Sequence, residues 1–227
     1  MTMCGAPVRS RVVTLRAINI GLGVVSALCV IMRIVYKAEF SVAALGWDDY
    51  LIVVTLLTGV PQTIITDKGT VAHGLGRDIW TLPFEDVIDF IRWFYVMEVL
   101  YFLILALLKL SLLFFFLRIF PGKQIRRFVW GTIAFDIAFG IAFAITAIFQ
   151  CQPISYYWTR FVDEHKGKCI DINALGWANA AISITLDLWM LMLPLSQIAS
   201  LKMTWKKKLS VALMFCVGTL LVPFNIS

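Results

Sequence analysis

Apolar residues along this chain gather into six runs, each long enough to approach the length of a membrane-spanning helix. A hydrocarbon core about 30 Å thick requires about 20 helical residues at 1.5 Å of rise each. Charged residues flank these runs and are rare inside them. The pattern predicts an all-α membrane protein, a polytopic helical bundle that forms one transmembrane domain over residues 1–227. The predicted spans are residues 17–36, 50–66, 92–118, 128–149, 173–198 and 209–224.

Composition supports the membrane interpretation and removes several classes of function. The chain is 60 % hydrophobic and only 15 % charged, which is too apolar for a water-soluble domain. Its net charge of +6 fits loops beside anionic lipid, so we expect the bilayer as a partner and no nucleic acid. The sequence shows no combination of nucleophile, base and oxyanion donors and no glycine-rich phosphate loop. We therefore expect no enzymatic activity, no cofactor and no metal site.

Basic residues in the short loops predict the orientation, because Lys and Arg concentrate on the cytosolic side of a membrane protein. One basic cluster follows the third span and another follows the fifth, so both of these loops are expected in the cytosol. The N-terminus is then outside, and we expect a multi-pass protein of the plasma membrane. The clusters are Arg118, Lys123, Arg126 and Arg127, and Lys202, Lys206, Lys207 and Lys208.

Two cysteines, Cys151 and Cys169, lie in the loop between the fourth and fifth predicted spans, with 17 residues between them. A disulfide that closes a loop of this size stabilises the fold by about 3 kcal/mol in the chain-entropy model. Such a bond persists only in an oxidising compartment, which agrees with an outer loop. The alternative is a pair of free thiols at the membrane interface.

Four charged residues interrupt the apolar runs: Glu98, Lys109, Asp136 and Asp187. Each costs at least about 2.5 to 3.5 kcal/mol on insertion scales, so we expect each to face the bundle interior and find a partner. Lys109 and Asp136 both lie nine residues, about 13 Å, from the predicted cytosolic ends, so they are the expected pair. Glu98 and Asp187 are expected to line the outer part of the same crevice. The cluster either fixes helix register or forms a ligand or ion site.

Asp48 and Asp49 begin the second predicted span at its cytosolic end. A carboxylate at this position can accept hydrogen bonds from the free amides of the first turn and lies at the positive end of the helix dipole. One hypothesis is therefore a helix cap. The other is a cytosolic latch, in which one of the two aspartates pairs with Arg118 and holds a closed state that an external ligand opens.

Four motifs also occur in order along the chain. They are GWDDY at 46–50, KLSLLFFFLRIFP at 109–121, a Cys-x-Pro at 151–153 followed by Trp158 and GKC, and an Asp-x6-Pro at 187–194 before a KKK loop. Together they resemble the fungal rhodopsin-domain family over residues 15–220. The resemblance implies a seven-helix integral membrane protein of filamentous fungi. Some members are GPCR-like proteins linked to surface sensing, and others are encoded in secondary-metabolite clusters such as that for satratoxin.

The sequence departs from this family at its end, because it stops at FNIS after the sixth apolar run and is expected to lack the seventh helix. We expect no retinal on Lys109, since the retinal-bearing lysine of microbial rhodopsins belongs to that helix. The favoured function is a GPCR-like sensor or receptor with an unknown small external ligand and a cytosolic effector. The alternatives are a small transporter or channel that uses the intramembrane charges, and a non-functional truncated gene product.

Overall fold

Long antiparallel helices dominate the structure, a computed structural model that describes residues 10–40, 46–78, 82–120, 122–159 and 167–200. Five of these helices are long and apolar enough to cross a membrane. The prediction of a helical membrane bundle is confirmed. The sixth predicted span, residues 209–224, and the lysine cluster at 202–208 lie outside the described residues. The helices are α1 Val12–Phe40, α2 Trp47–Ile65, α3 Phe84–Ile119, α4 Lys123–Ile148, the short α5 Tyr156–Thr159, and α6 Ile172–Ser200.

The two ends of the bundle differ in what they contain. The α3–α4 end is the end at which α3 finishes and α4 begins, and it also holds the end of α1 and the start of α2. The disulfide end is the opposite one. There α2 runs through Pro61 and passes into one π-helical segment, Thr66–Val71. The turn that follows uses Gly74 and Gly76 at φ values of 129° and 82°, which residues with a Cβ rarely adopt.

The apolar core lies between α3, α4 and α6 and is concentrated toward the α3–α4 end. A second close contact joins α3 and α4 near their middles, where a Cβ added to Gly140 would lie 2.8 Å from the Cβ of Ala106. Small residues at such a contact let two membrane helices approach closely. The large apolar side chains on the outer faces are exposed, so these helices contact the lipid bilayer. The core cluster is Leu113, Phe116, Phe120, Ile125, Val129, Ile133, Met190 and Leu193.

A disulfide joins Cys151 and Cys169, so the predicted bond is confirmed. It closes a two-stranded antiparallel ribbon, β1 Cys151–Gln152 with β2 Lys168–Cys169. The hydroxyl of Tyr95 on α3 donates to the carbonyl of Ile148 at 2.8 Å, and its ring lies 5.2 Å from that of Tyr157 on α5. These contacts hold the ribbon and α5 against the start of α3.

Candidate functional site

Two groups of charged residues, each of which contains buried charges, lie at different depths along α3, and they form the candidate site. The end cluster, at the α3–α4 end, consists of Arg33, Lys37, Asp48, Asp49 and Arg118. The interior cluster, near the middle of the bundle, consists of Lys109, Asp136, Ser183 and Asp187. Lys109 and Arg118 are nine residues apart on α3, which is about 13 Å along the helix axis.

The end cluster begins with the first turn of α2. Asp48 and Asp49 are each 2 % exposed, so both carboxylates are withdrawn from solvent. The backbone amide of Gly46 donates to Asp49 Oδ2 at 3.0 Å, and the amide of Asp49 donates to the Gly46 carbonyl at 3.0 Å. This reciprocal pair is the backbone half of a capping box. The carboxylate of Asp49 therefore caps the start of α2 through the amide of Gly46, the residue before the first turn.

Three basic side chains from two other helices converge on the same two carboxylates. Arg33 Nη2 lies 2.8 Å from Asp48 Oδ2, and Lys37 Nζ lies 2.6 Å from Asp49 Oδ1, both basic residues coming from α1. Arg118 Nη1, from α3, lies 3.4 Å from Asp48 Oδ1 and 3.6 Å from Asp49 Oδ2. The contact that the latch hypothesis needs is thus present, and each aspartate has several charged partners.

Neutral contacts reinforce this cluster. The hydroxyl of Ser111 on α3 donates to the backbone carbonyl of Asp48 at 3.1 Å, and the guanidinium of Arg33 lies 5.3 Å from the centre of the Phe115 ring. Gly46 is close-packed, because an added Cβ would lie 2.3 Å from Asp48 Oδ1 and 3.1 Å from Arg118 Nη1. The cluster therefore joins α1, α2 and α3 by charge, hydrogen bonds and close packing.

Sequence reasoning did not assign Arg33 or Lys37 to a candidate site. The signal that could have found them is their spacing, since residues four apart at the end of a helix share one face. They also lie only 11 to 16 residues before the two aspartates along the chain, a short separation that favours pairing between the end of one helix and the start of the next.

Lys109 forms the centre of the interior cluster and is 7 % exposed. Its ammonium donates to Ser183 Oγ at 2.6 Å and to the Ser183 carbonyl at 3.1 Å, and it lies 3.2 Å from Asp187 Oδ1. The expected direct pair with Asp136 was wrong, because the ion-pair partner of Lys109 is Asp187. Equal depth sets the height of two groups but not the side of the helix on which each lies. Here α6 provides both nearest partners.

Asp136 has the least satisfied charge-bearing side chain in the described structure. It is 1 % exposed, and neither carboxylate oxygen has a hydrogen-bond partner among the described residues. It lines a cavity of about 10 Å³ together with Lys109, Asn179 and Ser183, which is room for about one water molecule. Burying a carboxylate without hydrogen bonds costs free energy. A role in stabilising the bundle therefore does not explain Asp136.

Asp187 and Glu98, which were expected to line the outer part of one crevice together, have different partners, Lys109 for Asp187 and Gln150 for Glu98. The side chain of Asp187 is 48 % exposed, although the residue lies within a membrane-spanning helix. Glu98 is 11 residues, about 16 Å, from Lys109 and accepts a hydrogen bond from Gln150 Nε2 at 3.1 Å. The structure thus groups Glu98 with the disulfide end and places Lys109, Asp136 and Asp187 together.

These features define a class: a multi-pass helical membrane protein with paired charges buried inside its bundle. The fungal rhodopsin domain, as a family model, matches residues 32–227. The chain belongs to the fungal rhodopsin-domain family. No solved structure matches it.

Several fungal proteins are similar to this chain. A SAT4 family membrane protein of Emericella nidulans is 30 % identical over 180 residues, which covers 76 % of this chain and 42 % of the relative. Fugralins biosynthesis cluster protein 2 of Gibberella zeae is 33 % identical over 149 residues, or 62 % of this chain and 36 % of that protein. Satratoxin biosynthesis SC1 cluster protein 4 of Stachybotrys chartarum is 30 % identical over 111 residues, or 48 % and 41 %. The chain thus matches about two fifths of the length of each of these relatives.

Proposed function

We propose that this chain is a GPCR-like sensor, in which a small external ligand at the interior cluster alters the end cluster through α3. The observation that carries the proposal is that α3 contributes a basic residue to each cluster, the buried Lys109 to one and the exposed Arg118 to the other. A helix transmits displacement along its axis because its backbone hydrogen bonds keep it stiff. A displacement of α3 at Lys109 therefore also displaces Arg118.

The exposed side of Asp187 is where a ligand would act. Lys109 is buried, but its partner Asp187 is half-exposed, so a polar or charged ligand group can reach the ion pair from that side. A ligand that competes for Lys109 or Asp187 would weaken the link between α3 and α6. The equilibrium then shifts to the state that such a ligand binds better, with α3 displaced and the end cluster rearranged.

The proposal includes an orientation and partners. With the N-terminus outside and the chain in the plasma membrane, the α3–α4 end faces the cytosol, where an effector would read the rearrangement of the end cluster. Two of the similar proteins carry the names of fugralin and satratoxin biosynthesis clusters, and we propose a small molecule of that general kind as the ligand. We propose no enzymatic activity for the chain.

Coupling between the clusters can be tested without a ligand. Nitroxide labels at Glu39→Cys and Gln124→Cys report the distance across the α3–α4 end by pulsed electron paramagnetic resonance. The background replaces Cys4, Cys29 and Cys216 by Ser and keeps the disulfide. We expect Asp49→Asn to change this distance directly and Lys109→Met to change it through α3.

Leu108→Met is the matched control, because residue 108 adjoins Lys109 but is 46 % exposed on the outside of the bundle. It should leave the distance distribution as in the unsubstituted chain. If Lys109→Met also leaves it unchanged while Asp49→Asn shifts it, the two clusters are independent and the sensor proposal fails. If Asp49→Asn has no effect, the latch itself is wrong.

A small transporter is the second candidate, and the carboxylate of Asp136, which has no hydrogen-bond partner among the described residues, favours it. Buried ionisable groups mark ion and proton pathways in membrane proteins. Vesicles loaded with a pH-sensitive dye distinguish the two functions. A sensor gives proton flux equal to that of empty vesicles, whereas a proton-coupled transporter gives flux that Asp136→Asn abolishes.

A further inference from the structure

A groove on the outside of the bundle runs between α4 and α6, separate from both charge clusters. Its volume is about 690 Å³. Three of its α4 residues, Arg127, Gly131 and Phe135, are spaced four apart and so share one face of the helix. Ile182 and Trp189 line it from α6. The groove extends about 12 Å along α4, from the α3–α4 end toward the middle of the membrane.

Apart from Arg127, the side chains with polar groups that line this groove have hydrogen-bond partners among the described residues. Thr132 Oγ1 donates to the Phe128 carbonyl at 2.9 Å and accepts from Trp189 Nε1 at 3.0 Å. The Thr185 hydroxyl donates to the Ala181 carbonyl at 2.8 Å. A molecule bound in the groove would therefore contact aromatic and aliphatic side chains. The space beside Gly131 is open, because a Cβ built there would meet nothing within 4 Å.

One charge lies at the mouth of the groove. Arg127 is exposed, and no ion pair or side-chain hydrogen bond holds it within the described part of the chain. The basic members of the end cluster differ, because Arg33, Lys37 and Arg118 all have carboxylate partners. The groove thus joins a cation without an ion-pair partner among the described residues, near the membrane surface, to an apolar channel that extends into the hydrocarbon.

We propose that this groove binds one anionic phospholipid, with its phosphate on Arg127 and an acyl chain along Gly131 and Phe135. Charge complementarity selects this occupant, because an apolar helix face of another protein would leave the guanidinium without an anion. The position of the cation at the end of a membrane helix matches the depth of a lipid headgroup. The proposal is independent of the sensor function, since it uses no residue of either cluster.

Native mass spectrometry of the full chain in detergent tests this site. The chain is titrated with phosphatidylserine or with phosphatidylcholine of the same acyl chains, and the dissociation constant of the first retained lipid is measured. We expect phosphatidylserine to bind about fivefold more tightly, the effect of one basic side chain beside an anionic headgroup. Arg127→Gln should remove this preference, and Gly131→Leu should weaken the retention of both lipids by filling the groove.

Two matched controls separate a built site from general attraction to a basic surface. Arg126→Gln removes the neighbouring exposed arginine, which does not line the groove, and should keep the fivefold preference. Gly176→Leu makes the same glycine substitution on α6 at another open position outside the groove and should leave retention unchanged. Size-exclusion elution and helical circular dichroism of each variant verify that it is folded.

Several outcomes would overturn the proposal. Equal losses in Arg126→Gln and Arg127→Gln would show surface electrostatics without a site. Unchanged retention in Gly131→Leu would place the lipid elsewhere, and if that variant fails to fold, the comparison of the two arginine variants alone decides. A chain dimer that Gly131→Leu abolishes, with no lipid preference, would make a second copy the occupant. If the chain retains oleate but does not retain phosphatidylserine, the occupant of the groove is not a phospholipid.

Discussion

The end cluster and the interior cluster solve the same problem, buried charge, in different ways. In the end cluster two aspartates face three basic residues, so each carboxylate has more than one cationic partner. In the interior cluster a single lysine faces two aspartates, and it pairs with Asp187 while Asp136 has no hydrogen bond from the described residues. Redundant pairing offsets the desolvation of the end cluster. A shortage of partners leaves the interior cluster open to a ligand, water or ion.

Asp48→Ala is the strongest test of redundancy in the end cluster. Arg33, Lys37 and Arg118 then compete for Asp49 alone, and we expect a loss of about 3 kcal/mol in unfolding free energy. The measurement is denaturation of the purified chain in mixed micelles. Glu85→Ala, an exposed acidic residue in the first turn of α3, is the control and should lose less than about 1 kcal/mol. Equal losses would show that the end cluster is only a helix-dipole effect.

Two serines compare the clusters directly. Ser183→Ala removes a hydroxyl that accepts from the buried ammonium of Lys109, and it should cost about 2 kcal/mol because hydrogen bonds to charged groups are the stronger ones. Ser111→Ala removes a neutral hydrogen bond to the Asp48 carbonyl and should cost about 1 kcal/mol. The same denaturation series measures both. A reversed order would contradict the assignment of Ser183 as a main partner of Lys109.

Gly46→Ala tests how tightly the end cluster is packed. Its Cβ would lie 2.3 Å from Asp48 Oδ1, so that carboxylate must shift away from Arg118, at a cost of about 1 kcal/mol. Gly59→Ala is the matched substitution, since a Cβ there meets nothing within 4 Å and alanine favours a helix interior. We expect this control to keep or raise the unfolding midpoint. Equal behaviour of the two variants would mean that the packing at Gly46 is loose.

Asp136→Asn has the smallest expected effect and the opposite sign from its equivalent in the end cluster. The amide removes a buried carboxylate that has no hydrogen-bond partner among the described residues, so we expect unchanged stability or a gain of up to about 1 kcal/mol. Asp49→Asn removes a carboxylate with three charged partners and should destabilise. Thermal unfolding of the two variants side by side measures the difference. Equal destabilisation would show that Asp136 is as well satisfied as Asp49.

Sequence reasoning located features that depend on local pattern. The second predicted span began at residue 50 and α2 begins at Trp47, while the third began at residue 92 and α3 begins at Phe84. The latter difference arises because α3 extends beyond the hydrocarbon length through residues that include three acids, Glu85, Asp86 and Asp89. Charged residues along the sequence indicate where a helix leaves the apolar layer. They do not indicate where the backbone hydrogen bonds of the helix end.

Most residues of the candidate site could be predicted from the sequence, but only some of the contacts between them could. Asp49 and Arg118 were brought together by the antiparallel order of neighbouring spans, which a sequence reveals through its loops. The partner of Lys109 was not predictable in that way. It depends on the side of α3 that faces α6 and on the close approach of α3 and α4 at Ala106 and Gly140, and neither follows from depth.

The amino-acid sequence by itself determined that this chain is a helical membrane protein of the fungal rhodopsin-domain type. A helix in lipid satisfies its own backbone, so the distribution of apolar side chains decides where each span lies. Only the tertiary structure decided which charges meet, because pairing depends on the rotation of each helix about its axis and on its neighbours. The tertiary structure decided the five-residue end cluster, the Lys109–Asp187 pair and the burial of Asp136 without a hydrogen-bond partner among the described residues.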